Sequence, residues 1–493
     1  MSNGPISSNS DTDALWRWSA TRLASAIASA EISAREAVQS CLERIDAVNP
    51  IVNALVEVSH DEALAAADRA DALRASGLAL GPLHGVPVAI KVNSDQAGHA
   101  TTNGIAAWAQ NIAETDSPHV ANLRRAGAIF VGRSNTPAFS YRWFTANDVH
   151  GRTLNPWDPA RTPGGSSGGA SAAAASGMVP IAHGNDIGGS VRYPAYACGL
   201  IGLRPTAGGV AGAYGPTNVD PVLSVQTMLV QGPLARSVED IRLAHRAMQG
   251  YDPRDPIHVP GAPKADPPAR PLRVGLLHTV GGVSPTPAVT CALAQAAQWL
   301  GAAGYVVEPV ELGLLDEAYR LWYLLCLEEF RQLMPLVEQI GDDGMQRAAA
   351  NYYAVAAEWW GTRPGLTDYI NGYARRGTLI SKLGEFMQRY PLVLLPVSAE
   401  QAFEQDADIA SVESMRRVMA AQASMMAVPL LGFPAVAVPT GLAAKLPVGV
   451  QMIGRRFDED TILDAAAVIE AHAGVFTPID PIPADPKRAL DVP

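Results

Sequence analysis

Apolar positions along this chain recur with two periods. In AREAVQSCLERIDAV they return every three or four residues, which predicts a helix with one apolar face. Ser33 followed by Glu36 at its start fits a capping box. DEALAAADRADALRAS predicts a second helix, stopped by Gly77. Val86, Val88, Ala89 and Ile90 form a short β-prone run that delivers Lys91 at its end. SPHVANLRRAGAIFVGRSN then reads as helix, glycine stop and strand, the order of a parallel βα unit.

Further on, ASAAAAS predicts a helix of small residues able to pack closely on a sheet. GLRPTAGGVAGAYGPTNVD has no period and is read as a loop, and SVEDIRLAHRAM as a helix capped by Ser237. A proline-dense linker follows at about 252–271. LRVGLL and VTCALAQAAQWLGAAG predict a strand and a helix, and 314–390 is mainly helical and rich in aromatic residues. Strand patterns return at PLVLLPV, PAVAVPT and VGVQMIG, and DEDTILDAAAVIEAHA ends the pattern as a helix. Met415, Met419, Met425 and Met426 have helical spacing and read as core. No internal repeat is visible. The pattern is α/β throughout, read as one domain over 1–493 with a helical insertion at 314–390.

Composition narrows the function classes. The 493 residues carry a formal charge of −11, with no Lys/Arg block, which disfavours nucleic acid as a partner. Cys41, Cys198, Cys291 and Cys326 form no CxxC and are expected as buried, reduced thiols, not a disulfide frame or a metal site. MSNGPISSNSDTDALW lacks the basic start and apolar run of a signal peptide, and no apolar run reaches the roughly 18 residues that cross a bilayer. The expectation is a cytoplasmic protein that does not enter membranes.

Two glycine–serine knots carry the candidate chemistry. The second, Asp186-Ile187-Gly188-Gly189-Ser190, places two residues without side chains directly before a serine. A serine hydroxyl needs a base to take its proton and donors to hold the oxyanion formed on attack. Glycines leave adjacent backbone N–H groups open to a substrate oxygen; a plain β-turn is the alternative. The first knot, Gly164-Gly165-Ser166-Ser167-Gly168-Gly169, lacks the Gly-Lys-Ser/Thr ending of a phosphate loop. It formally matches the G-x-S-x-G elbow of an α/β-hydrolase esterase, but the preceding NPWDPARTP cannot be the strand an elbow needs. His183 is read as a structural imidazole.

GPLHGVPVAIK, HGRTLNPWDPARTPGGSSGG, NDIGGSVRYPA, CGLIGLRPTAGGV and QGPLARSVEDI, followed by PAVAVPTG and PVGVQMIG, resemble the motifs of the amidase signature family in its order. The likeness is densest from about Gly81 to Asp240, and it implies a catalytic core over about 75–240. It implies a mixed, twisted β-sheet covered on both faces by α-helices. It also implies a Ser–cis-Ser–Lys triad: Ser190 as nucleophile, Ser166 as the bridging serine after a cis peptide, and Lys91 as base. Ile187, Gly188, Gly189 and Ser190 match the oxyanion hole. Asp186 and Arg192 are read as supports of the glycine turn, and Ser167 as part of the hydrogen-bond network. No cofactor or metal is implied. One departure stands out: the family most often follows its lysine with aspartate, whereas this chain has Val92-Asn93.

The resemblance implies hydrolysis of an amide-type C–N bond (amide, anilide or carbamate) through an acyl-enzyme, with a urethane-cleaving member suspected. Tyr141, Trp143, Phe144 and Trp322 are candidate pocket walls for a bulky or apolar small-molecule substrate. A monomer or homodimer is expected. The alternative within the family is the glutamine-hydrolysing component of a tRNA amidotransferase.

Overall fold

The βα unit forms where the pattern places it: helix Pro118–Arg125, Gly127 in the left-handed region at φ +90°, then strand Ile129–Ser134. The computed structural model describes residues 14–212, 220–261 and 269–484. The start of the N-terminal stretch, 213–219 of the glycine-rich loop and 262–268 of the proline-dense linker lie outside the described residues.

The described strands are β1 (Leu55–Val58), β2 (Pro87–Lys91), β3 (Ile129–Ser134), β4 (Ala146–Asn147), β5 (Gly151–Arg152), β6 (Ile181–Asp186), β7 (Ile201–Arg204), β8 (Val230–Ala235), β9 (Arg273–Leu276), β10 (Val306–Pro309), β11 (Leu392–Pro396), β12 (Ala435–Ala443) and β13 (Leu446–Gly454). Eleven of them make one sheet in the order β1-β3-β2-β6-β8-β7-β12-β13-β11-β9-β10, while β4 and β5 form a separate hairpin. β2 runs parallel to both β3 and β6, and β9 parallel to β10 and β11. The remaining pairs are antiparallel, so the sheet is mixed.

Side chains alternate between faces along a strand, and here successive residues enter different apolar clusters. Leu392 and Leu394 of β11 belong to one buried apolar cluster with Leu23, Val88, Ile181 and Ile462; Val393 and Leu395 belong to another with Tyr193, Trp322 and Met425. Both faces of the sheet are therefore covered. Capping is local and matches the sequence: Ser33 and Glu36 close a full capping box, and the Ser237 hydroxyl accepts from Asp240 N at 3.2 Å.

Helices Leu314–Arg331, Met334–Ile340, Asp343–Trp360 and Leu366–Arg389 occupy the aromatic-rich stretch. The four methionines fall on helices Val412–Ala421 and Ala423–Leu431. Strands β6, β7, β8 and β10 carry no clear alternation. β8 even places Pro233 inside the sheet opposite His183, a position whose missing N–H costs a ladder bond. One expectation about the thiols is corrected: Cys41, Cys198 and Cys326 are buried, but Cys291 is exposed, because its position on helix Pro287–Ala302 turns away from the sheet-facing side. All four are free thiols.

The parallel neighbours β2 and β6 end beside each other, the first on Lys91 and the second on Asp186. In α/β sheets the carboxyl ends of parallel strands are where chemistry collects. Both glycine–serine knots converge there.

Candidate active site

Lys91 is fully buried, and its Nζ lies 2.7 Å from Ser166 Oγ and 2.8 Å from Asn185 Oδ1. Among the described residues it makes no ion pair. Burial pushes its ammonium well below the ordinary lysine range, opposed by the charge of Asp186. A neutral amine at this position can accept a proton. The Val92-Asn93 departure has a structural answer. Asn93 and Asn185 exchange amide hydrogen bonds, with Asn185 Nδ2 donating to Asn93 Oδ1 at 3.0 Å and Asn93 Nδ2 to Asn185 Oδ1 at 3.3 Å. A neutral amide pair thus orients the oxygen that receives Lys91, where an aspartate would add a charge.

The first knot owes its glycines to close backbone approach. Gly164 sits at φ +84°, and a Cβ there would lie 2.5 Å from Pro194 Cα. A Cβ on Gly165 would lie 2.4 Å from Arg142 O and 2.6 Å from the carbonyl carbon of Trp143. The Gly165–Ser166 peptide is cis. Helix Gly168–Ala175 follows, every residue buried. Ser167 joins the network through its backbone: its N–H donates to Ser190 O at 3.3 Å, while its buried hydroxyl has no partner among the described residues.

The second knot is built on an ion cluster. Arg192 is bidentate on Asp186, Nε to Oδ2 and Nη2 to Oδ1, both at 2.9 Å. Arg204 Nη1 donates to the Asp186 backbone carbonyl. All three side chains are fully buried. Burial alone would raise the carboxyl pKa, but the two guanidinium groups hold it down at about 2. Asp186 Oδ1 also accepts from Gly189 N at 2.9 Å. This corrects the expected donor set: the Gly189 N–H is committed to Asp186. The amides of Ile187, Gly188 and Ser190 make no hydrogen bond among the described residues. Gly189 stands at φ +92°, and a Cβ there would meet Met425 Cβ at 2.7 Å; one on Gly188 would lie 3.0 Å from Met426 Sδ. Ser190 is 7% exposed, and its hydroxyl makes no hydrogen bond among the described residues.

The four candidate pocket aromatics take different places around the second knot. Phe144 is fully buried with its ring 6.2 Å from Phe403, so it is core. Trp143 and Trp322 are turned to the second knot as donors: Trp143 Nε1 to Gly188 O and Trp322 Nε1 to Ile187 O, each at 2.8 Å. A buried indole N–H seeks an acceptor, and these carbonyls supply it. Tyr141 stacks on Phe330 at 4.3 Å and meets Tyr352 edge-on, its hydroxyl buried without a partner among the described residues. His183 Nε2 donates to Gln231 Oε1 at 2.8 Å and the ring stacks on His119; burial pushes its pKa down to about 3. Asn185 and Arg204 escaped sequence reasoning, although both stand in quoted motifs, NDIGGSVRYPA and CGLIGLRPTAGGV; Asn93, Met425 and Met426 were singled out, but not for their place at the site. Among the described residues no group of three or more His, Cys, Asp or Glu is placed to hold a metal ion. No helix among them is long and apolar enough to cross a membrane.

A mixed sheet carries this lysine–serine pair beside a glycine knot. The family model described as Amidase matches residues 36–463, and the chain belongs to that family, the amidase-signature enzymes. It is 41% identical over 471 residues to the indoleacetamide hydrolase of Bradyrhizobium diazoefficiens, covering 94% of this chain and 88% of that protein. It is 33% identical over 480 residues to a glutamyl-tRNA(Gln) amidotransferase chain of Chloroflexus aurantiacus, covering 90% and 94%. Among solved structures, a bacterial aryl acylamidase of the amidase signature family superposes with a TM-score of 0.78 at 27% identity, covering 93% of this chain and 96% of that one.

Proposed function

We propose that this chain hydrolyses a small-molecule amide with an aromatic acyl group, through an acyl-enzyme on Ser190 and a Ser190–Ser166–Lys91 relay. The observation that carries it is the fully buried Lys91 amine 2.7 Å from Ser166 Oγ, with no ion pair among the described residues and a depressed pKa. In the relay, neutral Lys91 takes the proton of Ser166, which takes that of Ser190 as its oxygen attacks the carbonyl carbon. The carbonyl π electrons move to oxygen, and the amides of Ile187, Gly188 and Ser190 receive the oxyanion. Collapse breaks the C–N bond, and the relay in reverse protonates the leaving nitrogen. Water, deprotonated by the same chain of groups, then releases the acid. The Ser166–Ser190 hydrogen bond closes when substrate is bound, as such bonds commonly do.

The likeness to an indoleacetamide hydrolase supports an arylacetamide as substrate. Anilides and carbamates, including urethanes, present the same carbonyl on nitrogen and are the nearest alternatives. Glutamine is the substrate expected of an amidotransferase component. The test is a panel of indoleacetamide, an aryl anilide, an aryl carbamate, an aryl ester and glutamine, each with Ser190→Ala as control. Indoleacetamide should be turned over best and by the chain alone. Preference for glutamine would overturn the substrate class, and full activity in Ser190→Ala would overturn the mechanism.

A further inference from the structure

Four consecutive carbonyls of the second knot are each held by a donor. Arg204 Nη1 donates to Asp186 O, Trp322 Nε1 to Ile187 O at 2.8 Å, Trp143 Nε1 to Gly188 O at 2.8 Å, and Tyr193 N to Gly189 O at 2.8 Å. None of these peptides is among the cis bonds. A trans peptide is planar, and its C=O and N–H point in opposite directions. A donor that fixes the carbonyl of one residue therefore aims the N–H of the next. Arg204 aims the Ile187 amide, Trp322 the Gly188 amide, and the Tyr193 amide that of Ser190. The Gly188–Gly189 peptide is clamped at both ends, by Trp143 on its oxygen and by Asp186 on its nitrogen at 2.9 Å.

The geometry points to Trp322 as a positioning residue that aims an oxyanion donor, the Gly188 amide, and to Trp143 as the residue that locks the next peptide, Gly188–Gly189, in support of it; this rests on the acyl transfer at Ser190 proposed above. A glycine pair resists rotation of its peptide planes less than any other dipeptide. A rotated Ile187–Gly188 peptide would present an oxygen where an N–H must meet the developing negative charge. Glycines have no side chains to prevent this, so the restraint comes from elsewhere in the chain. An indole suits the task, because it donates one hydrogen bond and adds no charge beside Lys91. Trp143 also ties the two knots together: its backbone lies against Gly165, and its indole holds Gly188. Trp322 stands on helix Leu314–Arg331, 135 residues beyond its acceptor, so the helical insertion completes the donor set.

The experiment replaces each indole in the full-length protein by phenylalanine (Trp322→Phe, Trp143→Phe) and by benzothienylalanine, which keeps the bicyclic shape and has no N–H. Deleting an oxyanion donor outright costs about 10²–10³ in kcat. Loosening one through Trp322 should lower kcat for the arylacetamide by about tenfold, with KM held within about threefold. Affinity for a substrate-shaped boronic acid, which mimics the tetrahedral oxyanion, should fall in step with kcat/KM. Inhibition by the planar product acid should not change. The isostere decides the matter should a phenylalanine variant fold poorly, and its thermal midpoint should stay within a few degrees of the parent's, the loss of one hydrogen bond costing about 1–3 kcal/mol. Unchanged kcat and boronate affinity in both isosteric variants, with Ser190→Ala inactive, would overturn this inference alone. An active Ser190→Ala would overturn the proposed mechanism and this inference with it.

Discussion

At the scale of single residues, two buried charges set opposite requirements. In the proposed relay Lys91 must be neutral, so turnover should rise with pH through a limb well below the ordinary lysine pKa of about 10.4. Between its depressed folded pKa and that ordinary value, the unfolded chain binds more protons than the folded one. Lys91 therefore costs stability across that window, and the cost shrinks as pH rises. Lys91→Met should abolish measurable turnover yet leave the thermal midpoint at pH 7 unchanged or higher; calorimetry beside an activity assay checks both. Asp186 runs the other way. Its pKa of about 2 lies below the ordinary 3.8, so it contributes stability above about pH 4 that is lost as pH falls toward 2. Asp186→Asn leaves Arg192 and Arg204 buried without that counter-charge, a change that typically costs about 3–5 kcal/mol. Urea midpoints of parent and variant should differ fully at pH 7 and converge between about pH 4 and pH 2.

Local chemistry made the elements most legible. Ser33 with Glu36, Ser237 before its helix, and Gly127 between helix and strand act within a few residues, and each stands as the pattern predicts. β6 and β8 were not legible. IAHGND and VQGPLA carry glycine, proline and polar side chains whose place in a sheet depends on neighbouring strands. The docking of the helical insertion is likewise a matter of long-range partners. Glu329 on helix Leu314–Arg331 is buried and accepts from Tyr369 and Tyr373 hydroxyls, each at 2.6 Å, and from Ser224 N at 2.8 Å. Glu329→Gln turns one acceptor oxygen into a donor facing another donor. The expected loss is about 1–3 kcal/mol of stability, read as a lower denaturant midpoint.

For the whole molecule, the sheet forbids a clean cut between the motif-rich core and the rest. β7 pairs with β12, and Val436, Val450 and Ile462 share an apolar cluster with Leu23, Val88 and Ile181. A fragment ending at residue 250 would expose that cluster and leave β7 as a bare edge. It should be insoluble or lack a cooperative unfolding transition by circular dichroism, whereas a soluble, cooperatively folded fragment would show that the part up to residue 250 forms an independent unit.

From its residues alone, this chain determined the α/β alternation, the helix caps, the two glycine–serine knots and the lysine that ends an apolar strand. Each of these follows from chemistry acting over a few neighbouring positions. Tertiary structure alone decided that Gly189 gives its N–H to Asp186, that Asn93 and Asn185 steer Lys91, and that Trp143 and Trp322 hold carbonyls of the glycine loop. A buried donor takes whichever acceptor packing brings within reach, and packing joins residues that lie far apart along the chain.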